Sequence, residues 1–119
     1  MPRFVILQHE SPRGCHWDFM LEARDALATW SMAEPPDAAS AIPAEALPDH
    51  RMAYLEYEGP ISAGRGSVTR WDHGTFELRR YDRDQVIAVV AGKRLIGEVT
   101  IRCTPDAPSR WTFSYTPYA

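Results

Sequence analysis

The sequence predicts a mainly β protein, a small closed or partly closed β-barrel with short helical connections. Short runs of β-branched and aromatic residues recur at hairpin spacing along the 119 residues, which is typical of barrels and sandwiches. The segment CHWDFMLEA (15–23) alternates strictly between apolar and mostly polar residues, the period of a strand with one buried face. Ten prolines and seven glycines argue against long helices.

Successive segments alternate between strand and turn character. Strands are expected at 3–8, 15–23, within 24–32, 50–59, 68–71, 76–82, 85–92, 95–103 and 110–116. Turns at SPRG (11–14) and DHGT (72–75) and a glycine-bearing loop at 59–67 separate them. Residues 33–49 contain four prolines and several alanines, which predicts an irregular connection with one short helical turn at PAEAL (43–47).

Length and composition indicate one globular domain over 1–119, without repeats, linkers or low-complexity tails. No apolar run approaches the roughly 20 residues of a membrane span, and no signal-peptide pattern is recognisable at the N-terminus. We therefore expect a cytoplasmic location and no membrane partner. The two cysteines, Cys15 and Cys103, are too few for a disulfide scaffold and are expected to be reduced thiols.

The net charge of −3 provides no global basic field for nucleic acid. The cations are nevertheless twelve arginines and one lysine, Lys93. Arginine suits bidentate phosphate contacts, although compositional bias is the simpler explanation. A nucleic-acid ligand stays open, provided that arginines gather on one face.

The stretch HESPRGCHWDF (9–19) carries the chemistry that the sequence suggests. His16 and Asp18 are at positions i and i+2 of a predicted strand, so both side chains leave one face with their Cα atoms about 7 Å apart. His9 ends the preceding strand, and the turn at 11–14 returns it toward that face. Two imidazoles and one carboxylate suit Mn²⁺, Zn²⁺ or Fe²⁺.

Other interpretations of this stretch stay open. The three residues also fit ordinary polar positions near a turn. Cys15 beside His16 suggests a Cys–His nucleophile, but neighbouring residues of a strand point to opposite faces. Glu10 and Glu22 are candidates for orienting the histidines, or for solvated surface carboxylates.

Five blocks of the sequence resemble the 3′-phosphoesterase module of bacterial DNA repair ligase D. In chain order they are FVILQHESPRGCHWDFMLE, the pair Trp30-Ser31, PDHRMAYLEYEG, WDHGTFE and GKRLIGEVTI. They cover nearly the whole chain, and the first is the most specific. The resemblance implies a compact β-barrel with a polar groove.

The resemblance also implies an activity and a set of site residues. Members of that family use a divalent metal, typically manganese, to remove 3′-terminal ribonucleotides and 3′-phosphates from primer ends. His9, His16 and Asp18 match the family's metal ligands. His50 matches its phosphate-contacting histidine, Tyr54 the tyrosine four residues later, and Glu22 the glutamate that closes the first motif.

The chain departs from the family at several positions that contact phosphate. Met20 stands where the family usually has an arginine, and Glu34 stands where it has a lysine. The basic residue before the D-H motif has no counterpart, the glycine-bearing loop is about three residues shorter, and the turn after His9 is one residue longer. Charge-assisted contacts contribute around 1.5–3 kcal/mol each. Substitutes for the missing cations are expected among Arg13, Arg51 and Arg65.

Three functions follow as hypotheses. The first is a stand-alone, divergent, metal-dependent phosphoesterase that acts on 3′ ends of primer–template DNA, with His9, His16, Asp18 and His50 as its catalytic residues. Its cofactor would be Mn²⁺, or Zn²⁺ or another divalent ion, and its partner a DNA ligase or end-joining protein. The second is a catalytically impaired module that binds metal or DNA ends. The third is a non-haem iron oxygenase, which uses the same ligand types.

Overall fold

The computed structural model describes residues 1–38 and 40–118, and its regular structure is almost entirely β. The strands are β1 (Arg3–Ser11), β2 (Gly14–Ala23), β3 (Ala26–Met32), β4 (Ile42–Arg51), β5 (Gly59–Pro60), β6 (Ser67–Tyr81), β7 (Gln85–Ala91), β8 (Ile96–Thr104) and β9 (Ala107–Pro117). A 3₁₀ helix, Met52–Leu55, follows β4. Within the described ranges, no helix is long and apolar enough to cross a membrane.

Eight of these strands close into an antiparallel barrel. Their order is β1-β2-β3-β4-β9-β8-β7-β6, and β6 pairs back onto β1. The two-residue strand β5 pairs with the first residues of β6. Closure satisfies the backbone groups of strand edges that would otherwise invite pairing with another chain. The predicted β-barrel is therefore confirmed, in its closed form.

Two apolar clusters lie on opposite faces of the barrel wall. The larger one receives side chains from all eight strands, with Phe19 and Phe113 fully buried and 5.3 Å apart between ring centroids, and fills the interior. The second cluster is formed by β1, β2, β3, β6 and the 3₁₀ helix, and consists of Val5, Leu7, Met20, Leu27, Leu55 and Val68. It covers the outer wall of β1 and β2, where the helix and the loop after it pack. The polar residues of the candidate site lie beside this outer cluster.

The structure differs from the prediction between residues 33 and 59. The predicted helical turn at 43–47 is wrong, because β4 extends over Ile42–Arg51 and pairs with β3 and β9. Ile42 and Ala44, on either side of Pro43, both point into the barrel core. Tertiary packing therefore outweighs the local preference of Pro43 for a turn. The irregular connection shortens to 33–41, of which Ala39 lies outside the described residues. The predicted strand over 50–59 is also wrong for residues 52–58, because the 3₁₀ helix Met52–Leu55 follows β4 and the next strand residue is Gly59 in β5.

The predicted turn at 72–75 is wrong as well. β6 continues through these residues to Tyr81 and pairs with β1 on one side and β7 on the other. Its register against β1 shifts between Ile6 and Leu7, which leaves Trp71 as an extra residue. Such a bulge bends a strand without ending it. Asp72 and Gly74 are typical turn residues, but here they serve long-range contacts.

Candidate metal and substrate site

His9, His16 and Asp18 converge on the outer wall of the barrel. His9 lies directly opposite His16 in the register of β1 and β2, and Asp18 is two residues further along β2, so all three side chains share one face. His9 Nδ1 is 2.9 Å from His16 Nε2. Asp18 Oδ1 is 3.3 Å from His16 Nε2, and Asp18 Oδ2 is 3.9 Å from His9 Nδ1. One ligand atom from each residue lies within 4.8 Å of the other two.

A backbone contact fixes the orientation of His9. Its Nε2–H donates to the carbonyl oxygen of Arg65 at 2.7 Å. Since a carbonyl only accepts, Nδ1 of the neutral ring presents its lone pair toward His16 Nε2, 2.9 Å away. Gly66 allows this approach: its φ is +91°, and a Cβ there would lie 1.8 Å from the Glu10 carbonyl oxygen. This carbonyl was not predicted from the sequence; the glycines flanking Arg65, which are typical of a close backbone approach, are the one signal that could have indicated it.

The surroundings of Asp18 fit a cation. The residue is 4% exposed, and its Oδ1 is buried and accepts no hydrogen bond, with His16 Nε2 at 3.3 Å. The polar contact with the Asp18 carboxylate raises the pKa of His16 above its ordinary value, and burial opposes this effect. A buried, unpartnered carboxylate oxygen costs free energy unless a cation or donor compensates it. Two nitrogens and one carboxylate that converge in this way have the donor set of a divalent transition-metal site.

A small cleft of about 80 Å³ opens beside these three residues. It is lined by Leu7, His9, Asp18, Met20, His50, Tyr54, Ile61, Arg65 and Val68. His50 reaches the outer wall because it lies opposite Leu27 in the register of β3 and β4. Its Nδ1–H donates to the Pro48 carbonyl oxygen at 2.9 Å, which leaves Nε2 for a ligand. The ring of Tyr54 packs edge-on against His50, with 5.8 Å between centroids.

The three candidate arginines occupy different places. Arg65 lines the small cleft, and its guanidinium is held by Ser62, with Nε 2.9 Å from the carbonyl oxygen and Nη2 3.1 Å from Oγ. Arg51 lines an adjoining cleft together with Arg65. Arg13 is exposed in the β1–β2 turn and lines none of the clefts described here. The structure therefore brings Arg65 to the site and Arg51 beside it, but leaves Arg13 outside.

The two glutamates predicted to orient the histidines do not contact them. Glu22 lies at the other end of β2, where its Oε1 accepts from the Arg3 backbone N–H at 2.8 Å. Glu10 is exposed and neighbours Cys15 across the hairpin. Partial burial and the Glu10 carboxylate raise the pKa of the exposed Cys15 thiol, which disfavours a nucleophilic thiolate. The orienting partner that the structure shows is the Arg65 carbonyl.

The two positions at which the family's cation is replaced differ in their environments. Met20 is 1% exposed, belongs to the outer apolar cluster and forms part of the cleft floor. Glu34 is exposed in the connection after β3. The loss of an arginine at position 20 thus leaves an apolar floor, whereas the charge at position 34 stays in solvent.

A wider groove of about 730 Å³ begins on the other side of the three residues. His16 lines it together with Ser31, Glu45, Arg110 and Thr112. Its walls are strands β2, β3, β4 and β9, which form one side of the barrel. The metal-ligand candidates thus stand between a narrow and a wide depression on the same outer surface.

Fold and site together define a class of protein: a small closed β-barrel with a His–His–Asp cluster on its outer wall, next to a cleft of phosphate size. Residues 7–102 match the family model for the DNA Ligase D 3′-phosphoesterase domain. The chain belongs to this family.

Curated relatives agree with the family assignment. The chain is 35% identical over 121 residues to the multifunctional non-homologous end joining DNA repair protein LigD of Mycobacterium tuberculosis strain H37Rv, a match that covers 91% of this chain and 15% of that protein. The LigD of Mycobacterium bovis gives the same values. That of Pseudomonas aeruginosa is 33% identical over 79 residues, which are 62% of this chain and 9% of that protein. The chain therefore spans only a small part of these relatives.

Proposed function

We propose that this chain is a divalent-metal-dependent phosphoesterase that acts on the 3′ ends of DNA in end repair. It would remove a 3′-phosphate or a 3′-terminal ribonucleotide. The observation that carries the proposal is the convergence of His9, Asp18, His50, Tyr54 and Arg65 on one small cleft. The family's description as a 3′-phosphoesterase domain, and the end-joining names of the relatives, support the same substrate class.

His9, His16 and Asp18 would hold the ion, for which Mn²⁺ is the first choice and Zn²⁺ the second. A bound divalent ion neutralises phosphoryl charge and activates water. The His9 tautomer set by the Arg65 carbonyl keeps Nδ1 available for this role. The wide groove at His16 offers a path for the retained DNA strand.

The side chains of the narrow cleft supply the remaining groups. The Arg65 guanidinium has donors beyond those used by Ser62 and would hold a phosphate oxygen. A water oxygen attacks phosphorus, the P–O bond to the leaving oxygen breaks, and the proton of a protonated His50 Nε2 passes to that oxygen. The water releases a proton to solvent. For a 3′-terminal ribonucleotide the leaving oxygen is the 5′ oxygen of the terminal nucleoside, so the products are that nucleoside and a primer that ends in a 3′-phosphate. For a 3′-phosphate the products are inorganic phosphate and a primer with a 3′-hydroxyl.

The direct test uses the purified chain with Mn²⁺ and two primer–template duplexes. One primer ends in a 3′-phosphate and the other in a single 3′-ribonucleotide. Shortening or dephosphorylation of either primer, inhibited by EDTA, is the expected result. A folded, metal-binding protein that processes neither primer would contradict the proposal.

One observation favours a second candidate, a catalytically impaired module that binds metal or DNA ends. Met20, in place of the family's arginine, is fully buried and offers no charge to phosphate. This candidate predicts binding of the same duplexes without turnover. Recruitment of a DNA ligase or end-joining partner is compatible with both candidates and is part of the proposal.

The arginines provide a prediction with an internal control. Replacing Arg65 by alanine should lower kcat/KM on a 3′-phosphate end by roughly 10- to 150-fold, since one charge-assisted hydrogen bond contributes about 1.5–3 kcal/mol. Replacing Arg13 by alanine removes the same charge from the exposed turn and should change kcat/KM by less than about twofold. Steady-state kinetics at fixed Mn²⁺ and salt would measure both.

Equal losses in the two variants would mean that the effect is long-range electrostatics and not contact in the cleft. The backbone carbonyl of residue 65 remains in the alanine variant, so the contact with His9 is retained.

A further inference from the structure

A second cleft adjoins the narrow cleft and shares a wall with it. We call it the tyrosine cleft; it is lined by Arg51, Tyr54, Tyr57, Ile61, Ser62 and Arg65, among others, and has a volume of about 270 Å³. Tyr54, Ile61 and Arg65 line both depressions. A ligand that fills the narrow cleft can therefore continue past Tyr54 into the tyrosine cleft.

The two volumes suit different parts of one ligand. The narrow cleft of about 80 Å³ exceeds the roughly 10–15 Å³ that one water needs, so it has room for a small group such as a phosphoryl. The tyrosine cleft approaches the roughly 300 Å³ at the lower end of small-molecule sites. A phosphate joined to a ring system matches this pair of volumes.

The chemistry of the tyrosine cleft favours a nucleoside as that ring system. The rings of Tyr54 and Tyr57 stand perpendicular, with centroids 6.0 Å apart, so they present a face and an edge. Tyr57 is 37% exposed, and its hydroxyl donates to the Pro60 carbonyl oxygen, which holds the ring at the rim. Bases stack on such rings without sequence preference, and the guanidiniums of Arg51 and Arg65 add stacking planes and donors.

The position of the tyrosine cleft relative to His50 indicates which end of the substrate lies in that cleft. The ring of Tyr54 packs edge-on against both His50 and Tyr57, with centroids 5.8 and 6.0 Å away. If His50 protonates the leaving oxygen, the group attached to that oxygen lies next to Tyr54. In a phosphodiester the leaving nucleoside would then extend into the tyrosine cleft, while the retained strand follows the groove at His16. In a 3′-phosphate monoester the leaving oxygen belongs to that retained strand, so no nucleoside enters the tyrosine cleft.

We propose that the tyrosine cleft binds the terminal nucleoside attached to the scissile phosphate, and that the preferred substrate is a phosphodiester ending in a nucleoside and not a 3′-phosphate monoester. This inference rests on the proposed function. It assigns a specificity role to Tyr57, which the sequence analysis did not single out.

The test compares kcat/KM for the 3′-ribonucleotide primer with that for the 3′-phosphate primer. In Tyr57→Leu, which removes the ring and keeps an apolar side chain, this ratio should fall by roughly 5- to 150-fold, the equivalent of one lost base–ring stack. In Tyr57→Phe the ring remains and the ratio should stay close to that of the wild type. Tyr118→Leu, at an exposed tyrosine away from both clefts, controls for loss of a surface ring. An unchanged ratio in Tyr57→Leu would overturn the inference.

A binding measurement keeps the inference testable if the wild type processes neither primer. Adenosine 5′-monophosphate carries its phosphate on the oxygen that would leave, so it represents the nucleoside with its scissile phosphate. Calorimetric titration with Mn²⁺ present should show tighter binding of this nucleotide than of inorganic phosphate, and Tyr57→Leu should remove that difference. Equal affinities in the wild type would refute the nucleoside subsite, whereas inactivity with tight nucleotide binding would refute only the proposed turnover.

Discussion

Replacing Asp18 by alanine is expected to abolish both Mn²⁺ binding and the processing of 3′ ends. Asp18 is the only carboxylate in the cluster with His9 and His16, and its buried Oδ1 lacks a hydrogen-bond partner among the described residues. Substitution of residues that merely orient metal ligands costs 10–100-fold in affinity or activity. Loss of a ligand should cost more, so we expect a decrease of at least about 100-fold in metal affinity.

Thermal unfolding with and without Mn²⁺ measures the binding part of this prediction. A ligand present at a hundred times its Kd stabilises the folded state by about 2.7 kcal/mol. The melting temperature of the wild type should therefore rise with Mn²⁺ and return with EDTA, while that of Asp18→Ala stays constant. Without added metal, the free energy of unfolding of Asp18→Ala should be close to that of the wild type. The substitution removes a few buried atoms, which destabilises the fold, but it also removes a carboxylate oxygen that is buried without a partner.

Asp106→Ala provides the matched control. Asp106 is exposed in the turn between β8 and β9, so its removal changes the net charge equally without touching the cluster. It should retain the Mn²⁺-dependent rise in melting temperature and the activity. Wild-type activity in Asp18→Ala would refute the assignment of the cluster as the metal site.

The His9–His16–Asp18 cluster was predictable from the sequence because it depends on local rules. A two-residue strand period and one tight hairpin are enough to place the three side chains on one face, and the structure shows them there. Their role as metal ligands stays a prediction. The geometry that supports it follows from residues no more than nine positions apart.

The opposite wall of the cleft could not be derived from local patterns. His50 faces the cluster only because β4 pairs with β3 in a register that places it beside Leu27. That register depends on β4 being a strand, whereas the prolines in 33–49 indicated an irregular connection. The resemblance to a known family singled out His50 and Tyr54 without this geometry. It did not indicate the Arg65 carbonyl, since a backbone acceptor leaves no side-chain signal.

The role of Asp72 also could not be predicted from local sequence patterns. The segment DHGT contains Asp and Gly, which are common in turns. The structure instead places Asp72 inside β6 with 1% exposure. Its carboxylate accepts hydrogen bonds from backbone N–H groups in the turn between β7 and β8, more than 20 residues away in the sequence. No periodicity or spacing rule reports such a contact.

Replacing Asp72 by alanine is expected to destabilise the barrel severely. Its Oδ1 accepts backbone N–H groups of His73, Lys93 and Arg94 at 2.7–3.1 Å, and its Oδ2 accepts that of Leu95 at 2.8 Å. Each donor left buried and unsatisfied costs about 1–3 kcal/mol. Even if water reaches some of them, the loss should be at least about 3 kcal/mol, a large part of the 5–15 kcal/mol typical of a whole domain. Urea unfolding at neutral pH measures it.

Asp72→Asn separates the hydrogen bonds from the volume of the side chain. The amide keeps one acceptor oxygen, which can serve the three donors at Oδ1, but sets an N–H group against that of Leu95. We therefore expect a loss between those of the wild type and Asp72→Ala, with normal activity per folded molecule, because Asp72 lines no cleft next to the His–His–Asp cluster. An exposed aspartate such as Asp106 should change stability by no more than about 0.5 kcal/mol. If Asp72→Ala unfolds at the wild-type urea concentration, the turn between β7 and β8 is held by its own Gly92–Leu95 hydrogen bond and not by this carboxylate.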